Sequence, residues 1–484
     1  MKIHLIGIGG IGVSALAKYY LSRKDRVSGS DLASSEITDQ LKKMSRPSGA
    51  SEVRTRVFIG KHKAKNIAKN TDLVICSPAV TPDNPELKAA KEWGIKCQSY
   101  PEALGELTKK YFTIAVCGTH GKGTTTAMIS LILIKAGLDP TVIIGTKLKE
   151  FGDSNFRLGK NPEYKILNTK YKILVIEADE YAGSFLNYWP KAIVITTIDK
   201  DHLDYFKNLN NIIKAFRQFI IHLPKGGVLI ANKDDKNTDV LKSKFKTQKS
   251  KLQFKTQNYS LKQSESGTLK KILKIPGNHI LSDALAALVL ARSLKIPDKI
   301  SFQALSEYKG AWRRFEERTI KLKTINYKLI SDYAHHPTEI EATLKAVAEK
   351  YLYPPKFSKG KFRRARQIWC VFQPHQYQRT FYLFDDFVRV LATSPVDKLI
   401  LAPIYSVAGR ESQAIKKKVS SAKLVESIRK SLEIRNWSLE INNVIYIPSM
   451  QRIAEYLRKN LKSNDVLVVM GAGDIYKLPE LLED

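Results

Sequence analysis

The sequence is short of cysteine, of long apolar runs and of acidic residues, and each shortage excludes a class of protein. Its four cysteines lie far apart, at Cys76, Cys97, Cys117 and Cys370, so neither a disulfide framework nor a zinc site is predicted. Apolar runs such as Val466–Met470 are much shorter than the roughly 18 residues that cross a membrane. The first residues lack the apolar core of a secretory signal. We therefore expect a cytoplasmic protein without membrane insertion.

The shortage of acidic residues leaves a strongly basic chain, with 80 Lys and Arg against 47 Asp and Glu and a formal charge of +33. Such a charge would suit a nucleic-acid-binding protein. The densest basic patches, at residues 242–255, 356–366 and 416–418, fall between structured runs, and no recognition helix, zinc finger or aromatic RNA-binding pattern accompanies them. We expect no nucleic acid as the main partner, and a surface that favours anionic substrates.

The chain begins with an apolar strand, a glycine turn and a helix. Gly7, Gly9 and Gly12 occupy the three places of a dinucleotide-type fingerprint, and Asp31 follows about twenty residues further on. An oxidoreductase that binds NAD(P) would have this pattern, and so would any domain that binds a diphosphate at a helix N-terminus. At this point both interpretations stay open.

A second glycine loop, at residues 118–125, follows an apolar strand and precedes a threonine-rich helix. Gly118 and Gly121 allow backbone amides to turn toward phosphate oxygens, and Lys122 adds a positive charge. The eight-residue phosphate-loop pattern would require glycine at Val116, so only its shorter form is present. The strand before the loop and the helix after it nevertheless predict a site for a nucleoside triphosphate.

Side chains around this loop are suited to hold magnesium. The residue after the lysine is Gly123, which has no hydroxyl, so Thr124 is the expected ligand. Glu177 ends the next apolar strand, where open α/β sheets bind ligands. His202 follows the strand after that, and would be either a second ligand or a hydrogen-bonding neighbour. Acidic residues at strand ends also cap helices, but two such clusters near a phosphate loop favour a metal site.

Three histidines follow two neighbouring strands in the last third of the chain. His335 and His336 lie in the turn at residues 332–339, and His375 lies in the turn at residues 373–380. A lone histidine is more often structural, but three at adjacent strand ends favour a polar ligand site.

The alternation of strands and helices predicts an α/β fold with largely parallel sheets, and the length allows about three domains. We predict an N-terminal Rossmann-like domain at residues 1–109, a central P-loop ATPase-like domain at residues 110–321 and a C-terminal Rossmann-like domain at residues 322–484. Residues 237–267 are expected to form a small irregular or β insertion, and residues 354–366 an exposed loop.

The order of motifs along the chain is its most specific feature. The motifs are GIGGIG, GTHGKGTTT, EADEYAGSFL, DHLDYF, GAWRRFE, DYAHHPTEI, FQPHQYQRT and MGAGDIY, and they span nearly the whole sequence. In this order they resemble the Mur ligases. The phosphate loop is common to that family and to the folylpolyglutamate synthases, which also place a glycine after the loop lysine. DYAHHPTEI and FQPHQYQRT resemble the alanine-adding members rather than the murein-peptide recycling ligase.

The resemblance implies an ATP-dependent amide ligase of peptidoglycan precursor synthesis that joins L-alanine to UDP-N-acetylmuramate through an acyl phosphate, with ATP and Mg²⁺ as cofactors. The implied catalytic residues are Lys122, Glu177, His202 and His335. The implied ATP-binding residues are Gly118, Thr119, His120, Gly121, Lys122, Gly123, Thr124, Thr125, His279, Arg314 and Asp332. The implied UDP-sugar-binding residues are Gly9, Gly10, Ile11, Gly12 and Asp31. The implied alanine-binding residues are Tyr333, His335, His375 and Arg379, and the implied metal ligands are Thr124, Glu177 and His202. Whether His202 or His335 deprotonates the amine stays open.

Several positions depart from the family pattern. Ile280 stands where an adenine-contacting asparagine is expected, and Gln376 stands where an arginine is expected. Ala182 and Ser331 each replace an aspartate. These departures leave two alternatives open, a Mur-type ligase with a different amino acid choice and a nucleotide-binding homologue without ligase activity. The oligomeric state is not predicted.

Overall fold

The structure of the chain is a computed structural model. It describes residues 1–44, 55–160, 172–246, 254–321, 325–352, 367–407, 411, 413–435 and 443–483. The expected loop at residues 354–366 lies outside these ranges, as do residues 247–253 of the basic run at 242–255.

The described residues form two compact units. The first unit comprises Met1–Asp199, Asn210–Gln263 and Asp283–Leu305. The second unit comprises Lys200–Leu209, Ser264–Ser282 and Ser306–Asp484. The first unit contains two β-sheets and the second contains one.

The N-terminal sheet is parallel. Its strands are β1 (Lys2–Ile6), β2 (Arg26–Asp31), β3 (Thr55–Ile59), β4 (Leu73–Cys76) and β5 (Lys96–Ser99). The helices of this segment are α1 (Ile11–Ser22), α2 (Glu36–Lys43), α3 (Pro85–Glu92) and α4 (Tyr100–Thr108). The strand order is β3-β2-β1-β4-β5. The central strand β1 is buried from Ile3 to Ile6, as expected for a short apolar run in a parallel sheet.

The central sheet has a parallel body with one antiparallel edge. Its strands are β6 (Phe112–Cys117), β7 (Thr141–Leu148), β8 (Ser154–Arg157), β9 (Ile173–Glu177), β10 (Ala192–Ile195), β11 (Val228–Asn232) and β12 (Lys255–Tyr259). The helices of residues 122–307 are α5 (Lys122–Lys135), α6 (Leu203–Phe206), α7 (Leu209–Ile220), α8 (Lys236–Lys246), α9 (Ser266–Ile272), α10 (Asn278–Ser293) and α11 (Asp298–Glu307). The strand order is β12-β11-β10-β6-β9-β7-β8, and β8 is antiparallel to β7.

The C-terminal sheet also carries an antiparallel edge. Its strands are β13 (Glu316–Lys321), β14 (Asn326–Asp332), β15 (Ile368–Phe372), β16 (Lys398–Leu401), β17 (Val444–Tyr446) and β18 (Val466–Met470). Its helices are α12 (Pro337–Tyr351), α13 (Tyr377–Tyr382), α14 (Phe384–Ala392), α15 (Gln413–Lys418), α16 (Ser421–Arg435), α17 (Met450–Asn460) and α18 (Leu478–Glu483). The strand order is β13-β14-β18-β15-β16-β17, and β13 is antiparallel to β14.

The predicted fold class, α/β with Rossmann-like and P-loop-like parallel sheets, is confirmed. Residues 237–267 were expected to form a small irregular or β insertion. Their described part instead contains most of α8 and the strand β12, which pairs in parallel with β11 as the edge of the central sheet. The expected boundary between residues 321 and 322 falls between β13 and β14, two paired strands of one sheet. Among the described residues, no helix is long and apolar enough to cross a membrane.

Candidate active site

Steric crowding explains the glycines of the loop between β6 and α5. Gly118 has φ +134°, and a Cβ there would lie 2.0 Å from Oγ1 of Thr196. Gly121 has φ +81°, and a Cβ there would lie 2.4 Å from Oδ1 of Asp283. Gly121 is also the N-cap of α5 and provides no side-chain cap. The positive end of the helix dipole therefore lies at a loop without side chains at Gly118 and Gly121, whose backbone can approach a phosphate closely.

The middle of the loop is fixed to the end of β10. The backbone N–H of Thr119 donates to Thr197 O at 2.7 Å, and that of His120 donates to Thr197 Oγ1 at 3.1 Å. Asp199 Oδ2 accepts a hydrogen bond from His120 Nε2 at 3.1 Å, and the backbone N–H of Asp199 donates to Thr119 Oγ1 at 2.9 Å. These contacts preorganise the predicted ATP-binding residues 119 and 120.

Lys122 is buried against carboxylates at the end of β9. Its Nζ lies 2.8 Å from Glu180 Oε2 and 3.8 Å from Asp179 Oδ1. Burial alone would lower the pKa of Lys122, but the charges of Glu180 and Asp179 outweigh it and raise the pKa. The lysine is therefore fully charged at neutral pH, as a group that binds phosphate must be.

The surroundings of Glu177 fit a magnesium ion. Its Oε2 accepts the N–H of Gly145 at 2.8 Å, and a Cβ at Gly123 would lie 3.3 Å from the same oxygen. Glu177 therefore lies beside the first turn of α5, which also contains Thr124 and Thr125. Thr124 is buried, and Thr125 Oγ1 donates a hydrogen bond to Asp283 Oδ1 of α10 at 3.0 Å. Carboxylate and hydroxyl oxygens are the donors that Mg²⁺ prefers.

The first glycine loop is suited to a diphosphate. Gly10 is the N-cap of α1 without a side-chain cap, and Ile11 and Gly12 begin a first turn that has no acidic residue. Asp31 Oδ2 accepts the N–H of Gly9 at 2.8 Å. Asp31 therefore braces the loop, and the amides that begin α1 point along the positive end of the helix dipole.

In the second unit, Arg379 forms a buried ion pair with Asp201. Nε and Nη2 donate to the two carboxylate oxygens at 3.1 and 3.2 Å, and Nη1 lies 3.3 Å from His375 Nδ1. Burial would raise the pKa of Asp201, but the charge of Arg379 and, after it, that of His202 hold it well below its usual range. The cation predicted to bind alanine is thus held in place bidentately.

The two adjacent histidines have different partners. His335 Nδ1 lies 3.0 Å from Tyr333 O and 3.2 Å from Glu339 Oε2, so the hydrogen-bond network places its proton on Nδ1. Burial lowers the pKa of His335, so the ring is neutral at pH 7 and its Nε2 can accept a proton. His336 caps α12 through Nδ1 and donates from Nε2 to Lys200 O at 3.0 Å. We assign His336 a structural role.

Aromatic rings predicted for the alanine site lie together in the second unit. The ring centroid of His335 is 5.2 Å from that of Tyr333 and 5.8 Å from that of His375. His375 in turn stacks on Tyr405 at 5.5 Å and 9°. These rings and the Arg379 guanidinium form one polar and aromatic cluster.

Two of the remaining predicted nucleotide residues of the second unit, Arg314 and Asp332, lie at the end of β14. The Arg314 guanidinium is 4.9 Å from the ring centroid of Tyr333. The Asp332 side chain is buried. Its two carboxylate oxygens accept hydrogen bonds from the backbone N–H groups of Phe315, at 2.7 Å, and Ala334, at 2.8 Å. Burial lowers the pKa of His279 to about 4. Asp332 therefore fixes the turn that presents Arg314.

Four acidic residues that hold these side chains were not among the predicted site residues. They are Glu180 on Lys122, Asp283 on Thr125, Asp201 on Arg379 and Glu339 on His335. Asp283 had a detectable signal, since it is an acidic residue within the apolar run of α10. The others lie inside motifs that had been recognised for a neighbouring residue.

Three family sequence models match consecutive parts of the chain. They are the Mur ligase family catalytic domain at residues 2–112, the Mur ligase middle domain at residues 116–291 and the Mur ligase glutamate ligase domain at residues 313–473. A UDP-N-acetylmuramate–L-alanine ligase of Acetivibrio thermocellus is 38% identical over 99% of this chain and 95% of its own length. The chain belongs to the Mur ligase family.

Further Mur ligases support this assignment. A UDP-N-acetylmuramate–L-alanine ligase of Clostridium acetobutylicum is 37% identical over 99% of this chain and 97% of its own length. The crystal structure of a UDP-N-acetylmuramate–alanine ligase from Thermotoga maritima has a TM-score of 0.73 at 25% identity, and covers 100% of this chain and 98% of its own. A murein peptide ligase from Psychrobacter arcticus, at 21% identity, a TM-score of 0.65 and coverage of 100% and 98%, shares the fold. The predicted family resemblance is confirmed, and Mur ligases use ATP.

Proposed function

We propose that this chain joins L-alanine to the carboxylate of UDP-N-acetylmuramate, with ATP converted to ADP and phosphate, in the cytoplasmic synthesis of peptidoglycan precursors. One observation carries the proposal, namely 38% identity over 99% of the chain to a UDP-N-acetylmuramate–L-alanine ligase. The phosphate loop with its charged lysine and the histidine and arginine cluster of the second unit support it.

Each predicted domain would bind one substrate. Residues 1–109 would bind the UDP part of the sugar nucleotide at Gly9, Gly10, Ile11 and Gly12. Residues 110–321 would bind ATP at the phosphate loop, and residues 322–484 would bind alanine. β13 lies at the end of the first of these ranges but belongs to the C-terminal sheet, because it pairs with β14.

In the first step a carboxylate oxygen of the muramate attacks the γ-phosphorus of ATP, and the bond from that phosphorus to ADP breaks. An acyl phosphate results. Lys122 and the amides of the loop stabilise the negative charge on the transferring oxygens. Glu177 and Thr124 would hold Mg²⁺, with His202 as a further candidate, and the ion would neutralise charge on the phosphate oxygens.

In the second step the amine of alanine attacks the activated carbonyl, and phosphate leaves from a tetrahedral intermediate. The amine must first lose a proton. His335 suits this task better than His202, because its Nδ1 is held by Tyr333 O and Glu339 and its ring is neutral at pH 7. Arg379 and His375 would bind the carboxylate of alanine.

Formation of UDP-N-acetylmuramoyl-L-alanine from its three substrates with Mg²⁺ tests the proposal. Lys122→Ala should lower turnover by at least about a hundredfold, because it removes a cation from the transferring phosphoryl group. Lys135→Ala, at the exposed end of the same helix, is the matched control and should leave turnover unchanged. Wild-type turnover by a folded Lys122→Ala variant would contradict the assigned role.

The same assay decides between the alternatives. Gln376 stands where an arginine is expected, so the enzyme could prefer an amino acid other than alanine. Assays with a panel of amino acids in place of alanine test this alternative. Preferred use of another amino acid would replace alanine in the proposal. Binding of ATP by calorimetry without product from any amino acid would favour a homologue that lacks ligase activity.

A further inference from the structure

Two lysines are buried close to each other behind the first glycine loop. Lys18 on α1 and Lys147 on β7 have only 5% and 6% of their surface exposed. Burial and, after it, the charge of Lys147 lower the pKa of Lys18 to about 8. Buried cations side by side are unfavourable unless anions compensate them. A function in binding an anion would explain why the fold contains such a pair.

Lys147 forms an ion pair with Glu36 of α2, a carboxylate that lies largely in solvent. Lys147 Nζ lies 2.5 Å from Glu36 Oε2, and the Glu36 side chain is 64% exposed. Lys18 has neutral partners, since its Nζ donates to Ser154 Oγ at 3.1 Å and to Asn155 Oδ1 at 2.8 Å. Glu36 is therefore a counterion that an incoming anion can replace.

The position of this ion pair relates it to the glycine loop. Glu36 is the first residue of α2. The first turn of this helix lies close to the glycine loop, because a Cβ added to Gly9 would be 3.0 Å from Cγ2 of Thr38. On the other side, Asn155 donates to Ile11 O and to Ser14 Oγ of α1. Lys147 thus pairs with the first residue of α2, the helix whose first turn approaches the loop predicted to bind a diphosphate.

We propose that Lys147 binds the diphosphate of the sugar nucleotide, and that Glu36 is the counterion it exchanges for the ligand. The amides that begin α1 would bind one side of the diphosphate, and the Lys147 ammonium would approach from β7. Asn155 and Lys18 hold β8 against α1 and so position β7. This inference rests on the proposed function only for the identity of the anion.

Binding of UDP and of uridine, measured by calorimetry without ATP or alanine, tests the proposal. Lys147→Gln should raise the Kd for UDP roughly ten- to a hundredfold, since a charge-assisted contact to phosphate is lost. Its Kd for uridine should change less than about twofold, because uridine has no phosphate. Lys147→Arg should bind UDP close to wild type.

Glu36→Gln should change the Kd for UDP in the opposite direction to Lys147→Gln. It should lower the Kd for UDP about threefold or more, because the carboxylate no longer competes for Lys147. Lys149→Gln, an exposed lysine two residues further along, is the matched control and should change neither affinity. A structural link between α2 and β7 would instead give a lower melting temperature with unchanged UDP binding.

Two results would overturn the inference. One is a folded Lys147→Gln variant that binds UDP like the wild type, and the other is an equal loss of UDP and uridine affinity. If Lys147→Gln does not fold, Glu36→Gln decides alone, and unchanged or weaker UDP binding by it would refute the exchange. Lys147-dependent UDP binding by a wild-type protein that forms no product would refute the proposed function and leave this inference standing.

Discussion

At the scale of single residues, Glu86 in α3 shows how hydrogen bonds can outweigh burial. Its side chain is fully buried, and it accepts hydrogen bonds from His4 Nε2 at 3.0 Å, Ser30 Oγ at 2.5 Å and Asn66 Nδ2 at 2.6 Å. Burial alone would raise the pKa of Glu86, but these hydrogen bonds lower it to about 2. The ionised carboxylate therefore stabilises the N-terminal sheet.

Glu86→Gln should lower the free energy of unfolding by about 3 kcal/mol at pH 7, which corresponds to the lowered pKa. Because the folded pKa lies below the unfolded one, this stabilisation is present above about pH 4.5 and is lost as the pH falls toward 2. Urea unfolding at a series of pH values measures it, with exposed Glu92→Gln of the same helix as control. A difference between wild type and Glu86→Gln that persists unchanged at pH 2 to 3 would contradict this assignment.

Motifs at strand ends allowed individual site residues to be predicted, but not their partners. Glu177 ends β9, and Lys122 and His335 lie a few residues after the ends of β6 and β14. The ends of parallel strands are where α/β folds bind ligands. Whether each of them has its predicted role stays a prediction. The pairing of Arg379 with Asp201 could not be predicted, because the two residues are 178 positions apart and only the tertiary structure brings them together.

At the scale of secondary-structure elements, the buried ion pair joins the segment before α6 to α13. Asp201→Asn and Arg379→Gln should each destabilise the second unit by about 3 kcal/mol or more, since each leaves a buried charge without its partner. The double variant should cost less than the sum of the two. Thermal and urea unfolding of the four proteins measures this coupling.

The exposed pair Arg389–Asp386, with both side chains about half exposed at 55% and 51%, provides the control. Asp386→Asn should cost less than about 1 kcal/mol, because a surface ion pair is screened by water. Additive losses at Asp201 and Arg379 would show that the two side chains act independently, contrary to the geometry.

Buried apolar strands were easier to predict than two of the polar strands at sheet edges. β6 and β10 were recognised because their apolar runs are continuous and buried. β12, with sequence KTQNY, and β13, with sequence EERTIK, carry mostly polar residues at the edges of their sheets. Edge strands face solvent and lack the apolar pattern, so the place of β12 in the central sheet was not predicted.

At the scale of the whole molecule, the alternation of strands and helices predicted three α/β segments, but not the strand order of each sheet. Strand order depends on which crossover each connection makes, and a single sequence contains little direct information about it. The division of the described residues into two compact units was likewise not predictable, since the short segments Lys200–Leu209 and Ser264–Ser282 join the unit that holds the C-terminal sheet.

In the proposed reaction, ATP activates the muramate carboxylate as an acyl phosphate before alanine attacks. Transfer of isotope from carboxylate to phosphate tests it most directly. UDP-N-acetylmuramate labelled with ¹⁸O in both carboxylate oxygens is converted with L-alanine and Mg-ATP, and the phosphate is analysed by mass spectrometry. We expect one labelled oxygen in each phosphate released. Unlabelled phosphate accompanying full product formation, or label found in AMP, would contradict it.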